Sequence, residues 1–295
     1  MVISPRTKQN LTTYTTIMTN FEIFESLGDF SRALNTRPVN DYYKNRGKLY
    51  SRSTHDANWY GTPDYHTADE LLLNGDKKNA AKIQTALNTR LRLNGGGRAP
   101  QSTIYNSVQG FVPNMGRLMS GHPENMLNIR RNMRTNSKVV TIMYNDAASC
   151  GVRAKDLINA GAKLLAAVKQ LERSGYRCNI YIGFCSRIDC QEGVSTRGAF
   201  VKVKDAGGML DVTRLAYTFV NPSFFRRHMF AFIERMPGVQ DSGYGRPSTG
   251  TGAKNTLATA TDCGKLSGAY YVDFSLLQSC TDTQDVINTL IEYHL

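Results

Sequence analysis

Residues 41–52, DYYKNRGKLYSR, set Tyr42, Tyr43 and Tyr50 among Lys44, Arg46, Lys48 and Arg52. That alternation suits a single-stranded nucleic acid. Cationic groups hold the phosphates while ring faces stack on unpaired bases, with little regard to base identity. Two further pairs of cations fit the same chemistry. Arg130 and Arg131 stand in NIRRNMR, and Arg226 and Arg227 stand in FFRRHMF, a helical stretch whose other residues are largely apolar. Arginines on such a helix are expected to reach outward, to phosphate or to Asp205 or Asp211 nearby. Trp59, the single tryptophan, is expected in the core.

GYGRPSTGTGAKNT (243–256) approaches the phosphate-gripping pattern G-x-x-x-x-G-K-[ST]. Gly245 and Gly250 have the right gap, but Thr251 stands where lysine is required and Asn255 follows Lys254 where the metal-holding hydroxyl belongs. The segment ahead of it has helical character and ends at Pro237 and Gly238, so no buried strand feeds the loop. A solvated Gly/Ser/Thr loop over 238–256 is expected in place of a nucleotide site, and deletion of 243–254 is expected to leave the fold intact.

Asp146 in NDAASC falls where a von Willebrand A-type domain carries D-x-S-x-S for Mg²⁺. Ser149 is three residues on rather than two, and Cys150 replaces the second hydroxyl. An oxygen cage needs several correctly spaced ligands, so no metal is expected there. Cys178, Cys185 and Cys190 lack the short paired spacing of a zinc site, and the five histidines are scattered. Acidic residues are dispersed rather than clustered, and no nucleophile–base pattern surrounds Cys150 or His122. The expectation is a non-enzymatic protein without a cofactor. Two alternatives stand beside it: a metal-dependent interaction module working through Asp146, and a nucleic-acid-processing enzyme such as a nuclease.

The elements that position these residues follow from periodicity. Residues 1–137 have helical spacing in FEIFESLGDFSRAL, TADELLLNG and DKKNAAKIQTALNTRLRL, the last capped by Asp76. From residue 138 the pattern changes. KVVTIMYNDA and YRCNIYIGF have the β-branched and apolar character of strands, and the amphipathic AKDLINAGAKLLAAVKQLERSG joins them. Strand, helix and strand in that order imply a parallel pair with a right-handed crossover. GAFVKVKDA is a third strand, DVTRLAYTFV and PSFFRRHMFAFIERM are two helices, GAYYVDFSLL is a fourth strand, and TDTQDVINTLIEYHL closes the chain as a helix. The expected fold class is α/β: a mainly helical basic region over 1–137, then a Rossmann-like or von Willebrand A-like domain over 138–295 with a largely parallel sheet. No G-x-G-x-x-G follows the first strand, which argues against dinucleotide binding.

Charge points to a polyanionic partner. The chain of 295 residues has 36 Lys+Arg against 24 Asp+Glu, a net charge of +12. The excess lies ahead of residue 237, because residues 237–295 hold three Lys/Arg against six Asp/Glu. A summed positive field draws polyanions and releases their counterions on binding. No run of about eighteen apolar residues exists, so no membrane partner is expected. The six cysteines form no C-x-x-C pair and are expected as reduced, cytoplasmic thiols.

Several longer stretches carry a resemblance: WYG at Trp59–Gly61, ADELLLNG at 68–75, VPNM at 112–115, GHPENM at 121–126, GAKLLAAVKQLERSGYRCNIYI, and VKDAGGMLDVTRLAYTFVNPSFFRRHMFAFIE. These resemble a bacteriophage protein family of largely unassigned function. Among its members the chain is similar to the single-stranded-DNA-binding RNA polymerase cofactor of lytic podoviruses that carry a virion RNA polymerase. The resemblance covers most of residues 58–236. It implies a protein that grips unwound promoter DNA and recruits a phage RNA polymerase to middle genes in the cytoplasm of an infected bacterial host. It supplies no site residues. The residue-level expectation stays with Tyr42, Tyr43, Lys44, Arg46, Lys48, Tyr50, Arg52, Arg130, Arg131, Arg226 and Arg227.

Overall fold

Short polar caps punctuate the first third of the chain. Phe21–Phe24 is strand β1. Ser26 then accepts the N–H of Asp29 and starts helix α1 (Leu27–Thr36), and Asn40 accepts that of Tyr42 to start α2 (Asp41–Arg46). Gly47 closes α2 in the left-handed conformation. A 3-10 turn (Tyr50–Arg52), α3 (Ala57–Tyr60) and α4 (Tyr65–Asn74) follow. Asp76 accepts the N–H of Asn79 at 2.9 Å, the cap anticipated from sequence. The computed structural model describes residues 21–81, 83–84, 102–131, 139–241, 243–247, 266 and 268–292.

Strands β2 (Ser102–Ser107), β3 (Val112–Pro113) and β4 (Met126–Arg131), with helix α5 (Met115–Met119) between β3 and β4, build a small antiparallel sheet in the order β2-β4-β3. The main body continues with β5 (Val139–Asn145), α6 (Ala154–Arg173), β6 (Arg177–Cys190), β7 (Gly193–Lys204) and α7 (Val212–Val220). A π-helical turn (Phe224–Met229) runs directly into α8 (Phe230–Ile233). Strands β8 (Arg246–Pro247) and β9 (Tyr270–Asp273) and helices α9 (Phe274–Ser279) and α10 (Thr283–Glu292) complete the order.

The main sheet runs β1-β7-β6-β5-β9, with β8 paired to β6. The β5–α6–β6 unit is the parallel crossover expected from the sequence, with Val139 opposite Arg177 and Asn145 opposite Gly183. Strand β9 joins the other side of β5, also parallel, and β1 lies parallel to β7. Only the β6–β7 pairing along that path is antiparallel, because a tight turn at Gln191 and Glu192 folds β7 straight back on β6. The chain is therefore mixed α/β with a mostly parallel main sheet. Helix α6 packs so closely on α7 that a Cβ at Gly161 would stand 1.9 Å from the Phe219 carbonyl oxygen. Only glycine permits that approach.

Several expectations change. FEIF is strand rather than helix and edges the main sheet, and NIRR lies in strand β4. In the fourth expected strand only Tyr270–Asp273 is extended, and Phe274 begins a helix capped by Asp273. The boundary at residue 137 does not separate two cores. Phe24, Phe30, Leu34, Tyr43 and Ile83 pack in one cluster with Tyr144, Leu164, Phe219, Phe232 and Leu290. Among the described residues no helix is long and apolar enough to cross a membrane.

Candidate nucleic-acid interface

The basic-aromatic segment folds as α2 and the 3-10 turn, and these sort its residues onto two sides. Lys44, Arg46, Lys48 and Arg52 are exposed. Tyr42 and Tyr50 are half-buried, while Tyr43 is buried at 2% exposure and its hydroxyl donates to the Asp241 carbonyl at 2.8 Å. Burial also drives the Tyr43 hydroxyl far above its ordinary pKa, so it stays protonated as that donor. Tyr43 is thus withdrawn from base stacking, a correction that follows from helix geometry. Lys44 beside it faces water, while its own ring packs against Tyr244.

The remaining cations lie over rings. The Arg46 guanidinium is 5.4 Å from the Tyr42 centroid and donates to its hydroxyl at 2.7 Å. Lys48 Nζ is 4.7 Å from the Tyr50 ring, and the Arg52 guanidinium 4.6 Å from Tyr65. Each such contact contributes about 0.5–1 kcal/mol at an exposed site. They hold the cations in place without neutralising them. The acidic neighbour in the segment is Asp41, paired with Lys44 at 3.2 Å while both stay exposed. The arrangement is a short cationic ridge with its charges turned to solvent.

Arg226 and Arg227 do the opposite. They are 1% and 0% exposed, which removes them from the phosphate-contacting set. Arg226 donates to the carbonyls of Trp59 (2.6 Å) and Val152 (2.8 Å) and lies 4.0 Å over the Trp59 ring. Arg227 donates to the carbonyls of Ser51, Ser53 and Thr62 and to the Thr62 hydroxyl, 4.4 Å over the Tyr60 ring. Burial lowers the pKa of both guanidinium groups, yet neither has a route to neutrality, so carbonyl dipoles carry the compensation. The anticipated alternative, pairing with Asp205 or Asp211, does not occur: Asp205 pairs with Lys202 and Asp211 with Arg214.

The third residue of that run, His228, is fully buried between Tyr217 (Nδ1 to hydroxyl, 2.8 Å) and Asp69 (Nε2 to carboxylate, 3.3 Å). Burial lowers its pKa, offset in part by Asp69, and its hydrogen bond in turn lowers that of Asp69. A neutral ring with the proton on Nε2 satisfies both neighbours. Six residues on, buried Glu234 accepts from Ser51 N–H (3.0 Å), Ser51 Oγ (2.5 Å) and the Tyr244 hydroxyl (2.5 Å). The π-helical turn and α8 therefore clamp residues 51–62 from beneath the cationic ridge.

That clamp reaches the glycine-rich segment. Tyr244 is buried, stacks on Phe230 with centroids 4.4 Å apart, and accepts the Tyr50 N–H. Gly245 has φ +87°, and a Cβ there would meet Ile188 Cγ1 at 2.7 Å. The start of the loop at Tyr244 and Gly245 is thus packed into the core rather than solvated as expected. Residues 248–265, with Lys254, lie outside the described residues.

Arg130 and Arg131 end β4, in register with Thr103 and Ser102. Their side chains lie outside the described residues. Trp59, expected in the core, is half-buried, and its indole N–H donates to the Cys150 carbonyl at 3.0 Å. Asp146 follows the last residue of β5, is buried, and has its pKa raised well above the ordinary range by burial, with the Arg226 charge opposing. Among the described residues no three His, Cys, Asp or Glu side chains gather as metal ligands.

These features define a class: a mixed α/β protein with an internal arginine pair and a cationic ridge anchored over it. The chain belongs to the family described as Domain of unknown function (DUF7192), whose model matches residues 8–286. No curated protein and no solved structure matches it.

Proposed function

We propose that the chain is a non-enzymatic binder of single-stranded nucleic acid, DNA foremost, that holds phosphates through Lys44, Arg46, Lys48 and Arg52. The observation that carries this reading is the ridge itself: four exposed cations within nine residues, three of them over tyrosine rings. The net charge of +12 supports it at long range. The biological setting we propose rests on the resemblance: recruitment of a phage RNA polymerase to middle promoters in the cytoplasm of an infected host. Fluorescence anisotropy with a labelled single strand across a salt series tests the reading. Affinity should fall steeply with salt, and affinity independent of salt would refute it.

A second reading has its own observation. The first strand of the crossover, β5, lies between β6 and β9, and antiparallel β7 lies outside β6. That order supports a von Willebrand A-like fold, with a switch point at the end of β5 where such sheets place ligands. The module would then bind a protein at that end. The donor set there does not fit a divalent cation: the Arg226 charge bears on Asp146, and Cys150 occupies a position where a hydroxyl is needed. No metal-dependent step follows from it. Partner binding insensitive to chelator, and lost on Asp146→Asn without loss of DNA affinity, would favour this reading.

A further inference from the structure

Strand β8 is two residues long, and its register on β6 sets Arg246 directly opposite Arg187. Antiparallel cross-strand partners share a face of the sheet with their side chains adjacent, so like charges there repel. Both arginines are exposed. Among the described residues neither guanidinium takes part in an ion pair, a hydrogen bond or a ring contact. Buried Ser186 and Ile188 flank Arg187 in sequence, so by strand alternation the pair points away from the core cluster that holds Ile188. Two carboxylates stand near, and neither binds the pair. Asp241 accepts the backbone N–H groups of Asp189 (3.1 Å) and Gly243 (2.7 Å). Asp189, two residues along β6, is exposed and forms no ion pair among the described residues.

The backbone ahead of Arg246 is held in a costly shape. Tyr244 has φ +62°, a left-handed conformation uncommon outside glycine, and Gly245 follows at φ +87°. A non-glycine residue persists there only where its surroundings over-determine it. Tyr244 is fixed in that way. Its hydroxyl donates to Glu234 at 2.5 Å and accepts the Tyr50 N–H at 3.1 Å. Its ring packs against those of Tyr43 and Tyr50, with centroids 5.5 and 5.4 Å away. The same tyrosine thus underpins α2 and the 3-10 turn, which carry the ridge, and directs the chain into β8. Two residues span at most about 7 Å, so the Arg246 backbone lies within that distance of Tyr244. The arginine pair and the ridge share one scaffold.

We propose that Arg187 and Arg246 form a second phosphate clamp for single-stranded nucleic acid, and that a bound strand runs from the ridge onto β6 and β8. The inference rests on the nucleic-acid reading above and deepens it. The ridge offers cations spaced along a helix and a turn, three of them over rings. The β6–β8 pair offers two guanidinium forks side by side. Planar forks of this kind recognise phosphate oxygens in bidentate fashion. An anion held between them also relieves the repulsion that the free protein carries. Thr196, opposite Arg187 on β7, adds a hydroxyl to the same face.

The test uses the full-length protein and a fluorescein-labelled oligodeoxythymidylate over a salt series. Arg187→Ala/Arg246→Ala should weaken binding and lower the slope of log affinity against log salt by about 1.4, the counterion release of two phosphate contacts on a single strand. Arg187→Lys/Arg246→Lys, which keeps the charge, should keep the wild-type slope. Free of nucleic acid, the alanine variant should melt no lower than wild type, because it removes a repulsion rather than a bond. Arg246→Glu should go further: an ion pair with Arg187 replaces the repulsion, so the melting temperature rises while affinity for the strand falls. A lower melting temperature in the alanine variant, or a wild-type slope in both the alanine and glutamate variants, would overturn the inference. Absence of salt-dependent binding in the wild type is a separate result, and it would overturn the nucleic-acid reading itself.

Discussion

Arg46 and Arg227 are the same side chain used in opposite ways. Both guanidinium groups lie over a tyrosine ring, at 5.4 Å and 4.4 Å. Arg46 is exposed and finds one neutral partner, the Tyr42 hydroxyl, so its charge stays available to a ligand. Arg227 is buried and spends its donors on three carbonyls and a hydroxyl of residues 51–62. The buried pair fixes the backbone that carries the exposed one. A cation-rich stretch is thus no evidence of a binding surface until the carbonyls around it have been counted.

The difference can be broken most severely at Arg227. Arg227→Ala should destabilise the fold by about 3–5 kcal/mol, because it strands the carbonyls of Ser51, Ser53 and Thr62 without donors. Denaturant melts check this, and a loss below about 1 kcal/mol would show that water or repacking replaces the guanidinium. Substituting Lys44, Arg46 and Lys48 together by alanine should do the reverse. Stability should stay within about 0.5 kcal/mol per site, while the slope of log affinity against log salt falls by about 2. An unchanged slope would remove the ridge from the contact.

The glycine-rich segment gives a smaller effect on the same scaffold. Gly245→Ala places a Cβ at φ +87° against Ile188 and the Arg187 carbonyl, and should lower stability by about 1–3 kcal/mol. A melting temperature equal to wild type would mean that the segment yields. The smallest effect is in pH dependence. Burial lowers the His228 pKa below its ordinary 6.5, so the unfolded chain takes up a proton that the folded chain refuses. Stability from this group is complete above pH 6.5 and declines as the pH falls through the window beneath it. Asp69, also lowered, adds a second loss at more acidic pH. His228→Gln should flatten the melting-temperature profile between about pH 5 and 7, and a profile as steep as wild type would place the titration elsewhere.

Local pattern was a good guide where one element sufficed. KVVTIMYN and the twenty residues of α6 declare a strand and an amphipathic helix, and the crossover follows from their order. The caps at Ser26, Asn40 and Asp76 are likewise written in residue type and spacing. The burial of Arg226 and Arg227 depends on carbonyls more than 70 positions away in sequence, at Val152 and in residues 51–62, which no window around FFRRHMF contains. One signal was present nonetheless. A helix apolar on every side is buried on every side, so the cations embedded in it had to be internal.

The proposed binding of single-stranded nucleic acid rests on the exposed ridge, not on the total arginine content. Anisotropy titrations of the full-length protein with a labelled single-stranded DNA, its duplex and an RNA of the same sequence, over a salt series, test it most directly. The account predicts tight single-strand binding that weakens steeply with salt, weaker duplex binding, and a reduced slope in the Lys44/Arg46/Lys48 alanine variant. Equal and weak binding to all three probes, unchanged in that variant, would contradict it.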